Sequence, residues 1–184
     1  MPKSGEDIDI AFMHTENENV KEGESLLNVV LFQPEIPQNT GNIGRLCAYT
    51  GIHLHLIHPL GFSLSQKNLK RSGMDYWNEL KVTEHKNWKE FQDFAGVEPD
   101  KWVLTTRGKK LHWDAEYKRG DYLIFGNEGS GCSEEIHQSI PEDRKLKIPQ
   151  LVPGLRSLNL ATSVGIVVYE SVKKLKENVK IDVY

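Results

Sequence analysis

The sequence predicts an α/β protein with a mostly parallel sheet and helices on both faces. From residue 27 onward, short apolar runs of strand length alternate with segments of helical character. Strands that alternate with helices are joined by right-handed crossovers into parallel sheets. The chain has 184 residues and 38% hydrophobic content, enough to bury one sizeable core. We therefore expect one domain over residues 27–184, preceded by a segment of different character.

The predicted elements follow one another in order along the chain. Strands are predicted at 27–32, 53–58, 101–106, 121–125 and 145–148. Helices are predicted at 42–50, 65–72, 87–95, 133–140 and 157–178, each with a plausible cap at one end.

The last segment is ambiguous, because "VGIVVYE" has the β-branched content of a strand. The continuous run from Leu158 to Lys176 has no turn signal, which favours a helix. The first half of this helix is apolar on nearly every side. Such a helix is typically buried against both the sheet and a second subunit, so the pattern also favours a dimer.

The net charge of −3 is unevenly distributed. Residues 1–26 contain seven acidic residues and two lysines, a net of −5. Since the total is −3, the remainder carries +2. We expect residues 1–26 to form a mobile acidic tail. The mildly basic remainder permits an RNA partner without requiring one.

Several classes of protein are disfavoured by composition. No apolar run approaches the roughly 20 residues that span a bilayer, and the N-terminus lacks the pattern of a secretion signal. Cys47 and Cys132 lie far apart without a C-x-x-C motif, so we expect reduced thiols in a cytoplasmic protein. His53 and His55 share one face of a strand. Because no third ligand follows at a suitable spacing, we expect an exposed strand face and no metal site.

The first stretch that suggests function is "PEIPQNTGNIGRLC" at 34–47. Its prolines and its Gly-Asn pair predict a rigid loop that leads into a helix. Asn42 and Arg45 would lie in the first turns of that helix, on one face. A surface Arg paired with an acid is the plain alternative. An Arg near a helix N-terminus opposes the helix dipole, however, which favours a phosphate as its partner.

The second stretch is "FGNEGSGCSEE" at 125–135. Its glycines follow a predicted strand, and open α/β sheets bind ligands where their parallel strands end. The spacing matches neither the dinucleotide nor the phosphate-loop fingerprint. The alternative is a glycine-rich turn that carries a solvated Glu128.

The third stretch is "IPQLVPGLRSLNLATS" at 148–163. Two prolines and a glycine shape a loop that leads into the last helix, with Arg156, Ser157 and Asn159 at its start. Ser157 is a plausible helix cap, but capping does not explain the loop before it.

Together the three stretches resemble the SPOUT superfamily of RNA methyltransferases, and within it the tRNA (cytidine/uridine-34) 2′-O-methyltransferase family. The resemblance covers about residues 27–175 and includes "LHLIHPLGF" and "LKRSGMDYW". It implies a C-terminal trefoil knot, a topology that periodicity cannot show. It also implies S-adenosylmethionine as the cofactor, the tRNA anticodon stem-loop as the partner, a homodimer, and a cytoplasmic location.

The resemblance further implies roles for individual residues. It implies cofactor contacts from Leu104, Thr105, Gly126, Glu128, Gly131, Ile148 and Ser157. It implies catalytic roles for Asn42, Arg45, Ser157, Asn159 and Tyr169. A guanidinium, with a pKa above about 12, is a poor proton acceptor. We therefore favour Arg45 as the group that orients the hydroxyl and a neighbouring phosphate, with general-base catalysis as the alternative.

The implied reaction is methyl transfer from S-adenosylmethionine to the ribose 2′-hydroxyl of the wobble nucleotide, number 34, of tRNA. Two other functions stay open. One is ribose methylation at another tRNA or rRNA position, although relatives of that kind often carry an additional RNA-binding domain, which is not predicted here. The other is a non-catalytic RNA-binding module, against which the presence of Arg45, Ser157 and Asn159 argues.

Overall fold

A computed structural model describes residues 25–64, 77 and 80–178, which contain one seven-stranded sheet. Its order is β3-β2-β1-β6-β4-β7-β5, and every strand pair is parallel. The predicted parallel sheet is therefore confirmed. The strands are β1 Asn28–Phe32, β2 His53–Ile57, β3 Val82–His85, β4 Lys101–Leu104, β5 Lys110–Leu111, β6 Tyr122–Phe125 and β7 Lys145–Lys147.

Helices cover both faces of this sheet, also as predicted. Because successive side chains of a strand point to opposite faces, Val29 and Leu31 join one apolar cluster and Val30 the other. Helices α1 and α4 contribute to the first cluster, and α2 and α3 to the second. The helices are α1 Pro37–Thr50, α2 Trp88–Ala95, α3 Glu134–Ser139 and α4 Leu160–Asn178, with 3-10 turns at His112–Asp114 and Glu142–Arg144.

The five predicted strands are confirmed within two residues at each end, but β3 and β5 were not predicted. Both lie at the edges of the sheet. Strand β3 has the sequence VTEH and is only partly buried, and β5 has two residues. Edge strands are often short and charged, so neither carries the apolar run that identifies an internal strand.

Helix α1 begins at Pro37, five residues earlier than predicted. A proline suits the first position of a helix, where its missing N–H would have no partner. The loop predicted for residues 37–41 is therefore wrong. Arg45 lies in the third turn of this 14-residue helix, too far from its start to oppose the dipole as argued from the sequence. Asn42 and Arg45 are both exposed on one face, as predicted.

The other helices agree with the sequence more closely. Asn87 and Ser133 cap α2 and α3 through side-chain oxygens. The last segment is a helix, which confirms the choice made against a strand. It begins at Leu160, and the Asn159 Oδ1 accepts a hydrogen bond from the Thr162 N–H at 3.2 Å. Asn159 is thus the cap, and the alternative of capping by Ser157 is wrong.

The predicted helix at 65–72 lies outside the described residues. The structure also shows that the packed chain begins before residue 27. The Ser25 Oγ accepts a hydrogen bond from the His53 N–H at 3.1 Å, and the Leu26 carbonyl accepts one from the Gly120 N–H at 3.0 Å.

His53 and His55 are buried, so the expectation of an exposed strand face is wrong. Strand β2 is internal to the sheet and covered on both faces. The His55 Nδ1 lies 3.0 Å from the His85 Nε2. Desolvation by burial lowers the pKa of His53 to about 4 and that of His55 to about 2.

Cys47 and Cys132 are buried, free thiols, as expected. Within the described ranges, no cluster of His, Cys, Asp and Glu suits a metal ion. In the same part of the chain, no helix has the length and apolar character needed to cross a membrane.

Candidate active site

The parallel sheet places the three sequence motifs together at the carboxyl ends of its strands. All its strands end on the same side, which is where open α/β sheets bind ligands. The first motif follows β1, the second follows β6 and the third follows β7. Strands β1 and β6 are neighbours, and β4, followed by Thr105, lies between β6 and β7. The topology therefore brings together loops that are far apart in sequence.

Glu128 connects the second motif to the first. Its carboxylate accepts hydrogen bonds from the Glu35 N–H at 2.8 Å, the Ile36 N–H at 3.2 Å and the Asn39 Nδ2 at 2.9 Å. The alternative of a merely solvated Glu128 is therefore wrong. This residue fixes the start of α1 against the glycine-rich turn.

Asn39 extends the connection to the third motif. Its side chain is 6% exposed, and its Oδ1 accepts a hydrogen bond from the Asn159 Nδ2 at 2.9 Å. Asn159 in turn caps α4. The chain of contacts from Glu128 through Asn39 to Asn159, which we call the motif network, joins all three motifs through side chains.

Sequence reasoning did not select Asn39. The reason is the late start assigned to α1. With Pro37 as the first helical residue, Asn39 lies four positions before the buried Ile43 and shares its inward face. Asn42 points away from that face and is exposed.

The glycine-rich turn folds back on itself. Asn127 and Gly131 exchange backbone hydrogen bonds of 3.2 and 3.1 Å, and the Asn127 Oδ1 accepts from the Ser130 N–H at 2.6 Å. A Cβ on Gly126 would lie 2.0 Å from the Gly131 carbonyl carbon. Gly126 therefore has to be glycine for the turn itself to close.

The segment after β4 crosses β7. Strands β4 and β5 lie on opposite sides of β7, so residues 105–109 have to pass over that strand. The Thr105 N–H donates to the Leu146 carbonyl at 2.8 Å. A Cβ on Gly108 would lie 2.7 Å from the Leu146 carbonyl carbon, which shows how closely the two backbones approach.

The third motif forms an exposed loop before α4. The Gln150 Nε2 donates to the Val152 and Leu155 carbonyls at 2.9 and 3.0 Å, which holds the loop in a compact form. Ser157 is exposed in this loop, and Ile148 is half-buried at its start. Tyr169 is half-exposed on the outer face of α4.

An exposed apolar surface accompanies this loop and the outer sides of α1 and α4. Apolar side chains that are more than a third exposed contribute to it. They are Tyr49, Leu151, Val152, Leu155, Leu158, Ile166 and Tyr169.

The whole arrangement has the architecture of a methyltransferase family. The family model described as "SpoU rRNA Methylase family" matches residues 26–169. Because the match covers more than half of the chain, the protein belongs to the SpoU rRNA methylase family.

Individual relatives and solved structures agree. A tRNA (cytidine(34)-2′-O)-methyltransferase of Saccharophagus degradans is 46% identical over 151 residues, covering 82% of this chain and 96% of the relative. A structure described as "Structural insights into the 2-OH methylation of C/U34 on tRNA" superposes with a TM-score of 0.76 at 42% identity, covering 82% and 97% of the two chains.

A more distant structure supports the fold alone. It is the SpoU methyltransferase AviRb from Streptomyces viridochromogenes in complex with the cofactor AdoMet, with a TM-score of 0.72 at 23% identity. The match covers 83% of this chain and 59% of that one.

Proposed function

We propose that this protein transfers a methyl group from S-adenosylmethionine to the ribose 2′-hydroxyl of nucleotide 34 of tRNA. The observation that carries the proposal is the 46% identity to a tRNA (cytidine(34)-2′-O)-methyltransferase over 82% of the chain. The motif network supports it, because it joins the same three motifs that carry the resemblance.

The cofactor would lie at the carboxyl ends of β6, β4 and β7, against Gly126, Leu104, Thr105 and Ile148. The turn after β6 has no room even for a Cβ on Gly126, because backbone atoms of Gly131 and Cys132 lie against it. When bound, S-adenosylmethionine supplies an activated methyl group on a sulfonium. Glu128, Gly131 and Ser157 would complete the site from the turn and the last loop.

Arg45 would orient the substrate. The reaction forms a bond between the 2′-oxygen and the methyl carbon, breaks the sulfur–methyl bond, and releases the hydroxyl proton. A 2′-hydroxyl is a weak nucleophile, so most of the acceleration has to come from alignment, worth at most about 7–11 kcal/mol in favourable cases. The forked guanidinium suits a phosphate and a hydroxyl, and Arg45 is exposed on α1 where RNA has access. Asn42, Ser157, Asn159 and Tyr169 would support the RNA and the loops.

The C-terminal segment is proposed to form the trefoil knot. Residues 105–109 cross over β7 in close backbone contact, and the chain after β7 continues into the loop before α4. A knot follows if this continuation passes through the loop formed by the crossing segment. Removal of residues after 147 would abolish the knot. When the intact chain is unfolded mechanically, its extended length should be shorter than that of an unknotted chain of the same number of residues.

The protein is proposed to act as a cytoplasmic homodimer, with residues 1–24 as an acidic tail outside the catalytic domain. The exposed apolar surface around α4 supports a second copy as the occupant. The free thiols and the proposed tRNA substrate suit the cytoplasm.

The decisive experiment measures the modified nucleoside. Purified protein with S-adenosylmethionine and unmodified tRNA should yield 2′-O-methylcytidine or 2′-O-methyluridine at position 34, located by nuclease digestion and mass spectrometry. The same assay with rRNA tests the other open activity. Methylation of rRNA without tRNA methylation would overturn the proposal, and so would the absence of any transfer.

A further inference from the structure

A cavity lies at the carboxyl ends of β2 and β3, on the side of the sheet where the three motifs also lie. It has a volume of about 470 Å³ and is lined by His58, Glu84, His85, Lys86 and Glu90. That volume lies within the range of small-ligand sites. None of these side chains belongs to the proposed catalytic or cofactor-binding residues, so the proposed reaction does not account for the cavity.

A buried chain of hydrogen bonds determines how His85 faces this cavity. The Asn28 Nδ2 donates to the Gly120 carbonyl at 2.7 Å, so the Asn28 Oδ1 is an acceptor and the His55 Nε2, at 3.4 Å, donates to it. Neutral His55 then accepts at Nδ1 from the His85 Nε2–H. Neutral His85 therefore carries its lone pair on Nδ1 and is itself an acceptor.

The exposed groups of the cavity are also mostly acceptors. Glu84 pairs through Oε2 with the His58 Nε2 at 2.7 Å, and Glu90 accepts from the Lys86 N–H. The lining therefore contains two carboxylates and one lysine. It offers acceptors to a ligand that donates hydrogen bonds.

The position of the cavity relates it to the proposed reaction. The β2–β3 boundary and the end of β4 are separated by three and a half strand spacings along the sheet. At about 4.8 Å each, this is about 17 Å. A stacked nucleic-acid strand rises about 3.4 Å per nucleotide, so about five nucleotides span the distance, and fewer when bases are splayed apart. A nucleotide in the cavity is therefore not the methylated one, and it lies up to about five nucleotides from it along the strand.

We propose that this cavity binds the base of an unpaired RNA nucleotide that lies within about five nucleotides of the methylated ribose. The base carries an exocyclic amino group, which donates to the Oε1 of Glu84. This inference rests on the proposed function, since it assumes an RNA substrate. It makes Glu84 a specificity-determining residue, with His58 and the buried histidine chain holding the cavity in shape.

Two variants and two kinds of RNA test the proposal. Glu84→Gln keeps the size of the side chain and removes its charge. Asp93→Asn is the matched control, because Asp93 is an exposed carboxylate on α2 that pairs with Lys89 and does not line the cavity. The RNAs are tRNAs assembled by ligation, with one loop base at a time replaced by an analogue without its amino group, inosine for guanosine or purine riboside for adenosine.

We expect Glu84→Gln to lower kcat/KM on normal tRNA by about 10-fold or more, the scale of a hydrogen bond to a charged group. The loss should be in KM, with kcat and the affinity for S-adenosylmethionine unchanged. Asp93→Asn should stay within about twofold of the wild type. The kcat/KM of the wild type should fall by a similar factor when the analogue replaces the base at one loop position only. The same analogue should cause no further loss of kcat/KM for Glu84→Gln.

Three outcomes would overturn the proposal. The first is a normal KM for Glu84→Gln, and the second is a parallel loss of S-adenosylmethionine affinity. The third is that, at every loop position, the loss caused by Glu84→Gln and the loss caused by the analogue multiply when the two are combined. These outcomes are separable from failure of the proposed function. In that case the wild-type protein would transfer no methyl group to nucleotide 34 in any of the RNAs.

Discussion

The exposed position of Arg45 is determined by the residues on the opposite side of its helix. Asn39, Ile43 and Cys47 turn inward and are buried, which leaves Arg45 on the outer face of α1. The residues that order the site therefore lie on one side of the helix, and those available to RNA lie on the other. Residues one or two positions apart on this helix therefore face opposite sides.

Replacement of Arg45 tests its proposed role. Arg45→Ala should retain the affinity for S-adenosylmethionine, because the proposed cofactor contacts lie on other elements. Methyl transfer should fall by at least about 100-fold, the usual scale for losing a positioned catalytic group. Arg45→Lys should recover little, since an ammonium lacks the planar fork.

The measurements for Arg45 are isothermal titration with S-adenosylmethionine and tritium transfer to unmodified tRNA. Lys89→Ala, which removes an exposed cation from α2, is the control and should transfer normally. Near-normal transfer by Arg45→Ala would remove this residue from the mechanism.

The buried histidines make stability sensitive to mild acid. Burial lowers the pKa of His53 to about 4 and that of His55 to about 2, below the ordinary 6.5. Burial lowers the pKa of His85, His112 and His137 as well. The unfolded chain therefore binds more protons than the folded chain below about pH 6.5. The contribution of the neutral histidines to the free energy of unfolding should be fully present above about pH 6.5 and should decrease as the pH falls below it.

Urea unfolding at pH 8.0 and pH 5.5 measures this effect. Each fully buried histidine should contribute roughly 1.4 kcal/mol per pH unit below 6.5, so His53 and His55 together account for about 3 kcal/mol at pH 5.5. His55→Asn should reduce the difference between the two pH values. An equal free energy of unfolding at both would contradict the assignment of these histidines as neutral.

At the scale of elements, the motif network holds a strand end, a turn and two helices in one arrangement. Glu128 belongs to the turn after β6, Asn39 to α1, and Asn159 to the start of α4. Each contact alone is an ordinary hydrogen bond. Their arrangement in series means that a shift in any of the three motifs is transmitted to the other two.

The turn after β6 can be tested at Gly126. Gly126→Val, and even Gly126→Ala, should prevent the turn from closing, because the added Cβ would lie about 2 Å from backbone atoms of Gly131 and Cys132. Binding of S-adenosylmethionine should be lost in titration. Gly51→Asn is the control, since Gly51 has a φ of +66° with open space around it and asparagine tolerates that conformation.

Thermal melting separates two readings of a loss of binding by Gly126→Ala. A lower melting temperature with weak binding supports the structural role of this glycine. Wild-type stability together with wild-type cofactor affinity would show that the backbone adapts and that the close approach is not required.

Element-scale features also show what the sequence could predict. The internal strands were predictable because burial on both faces demands continuous apolar runs, as in "NVVLF" and "DYLIF". The edge strands β3 and β5 do not need a continuous apolar run. The start of α1 was not predicted, because a proline suits both a loop and the first position of a helix. For that reason the inward-facing Asn39 was not selected.

The site itself was predictable only in part. The three motifs were found from their prolines, glycines and polar residues next to predicted strands and helices, and the resemblance then connected them. The pairing of Glu128 with Asn39, 89 positions away, depends on β6 lying beside β1. No local pattern encodes that neighbourhood. Likewise, the burial of His53 and His55 depends on β3 covering the far side of β2.

At the scale of the molecule, the exposed apolar surface predicts association. Light scattering should give about twice the 21.0 kDa mass of one chain at micromolar concentration. Ile166→Glu, which places a charge on the exposed side of α4, should shift the mass toward one chain because an unpaired carboxylate would be buried. Lys89→Glu on α2 should leave the dimer intact. A single-chain mass for the wild-type protein would contradict this prediction.

The acidic N-terminal segment is predicted to lie outside the folded unit. Deletion of residues 1–24 should leave the melting temperature and the cofactor affinity unchanged, because this segment has few apolar residues. Ser25 and Leu26 have to be retained, since both contact the sheet. A cooperative loss of melting temperature on deletion would place the segment in the fold.

The strand order has a consequence for how the protein is made. Strand β6 is inserted between β1 and β4, and β7 between β4 and β5. During synthesis, each of these gaps stays open until a later part of the chain leaves the ribosome. A nascent chain that ends before residue 122 therefore has one sheet fragment, β3-β2-β1, while β4 and β5 have no strand partner. Both β4 and the β1 side of the fragment then expose unpaired apolar edges. Such edges attract other chains, so the interval before β6 emerges is when this protein most needs protection from aggregation.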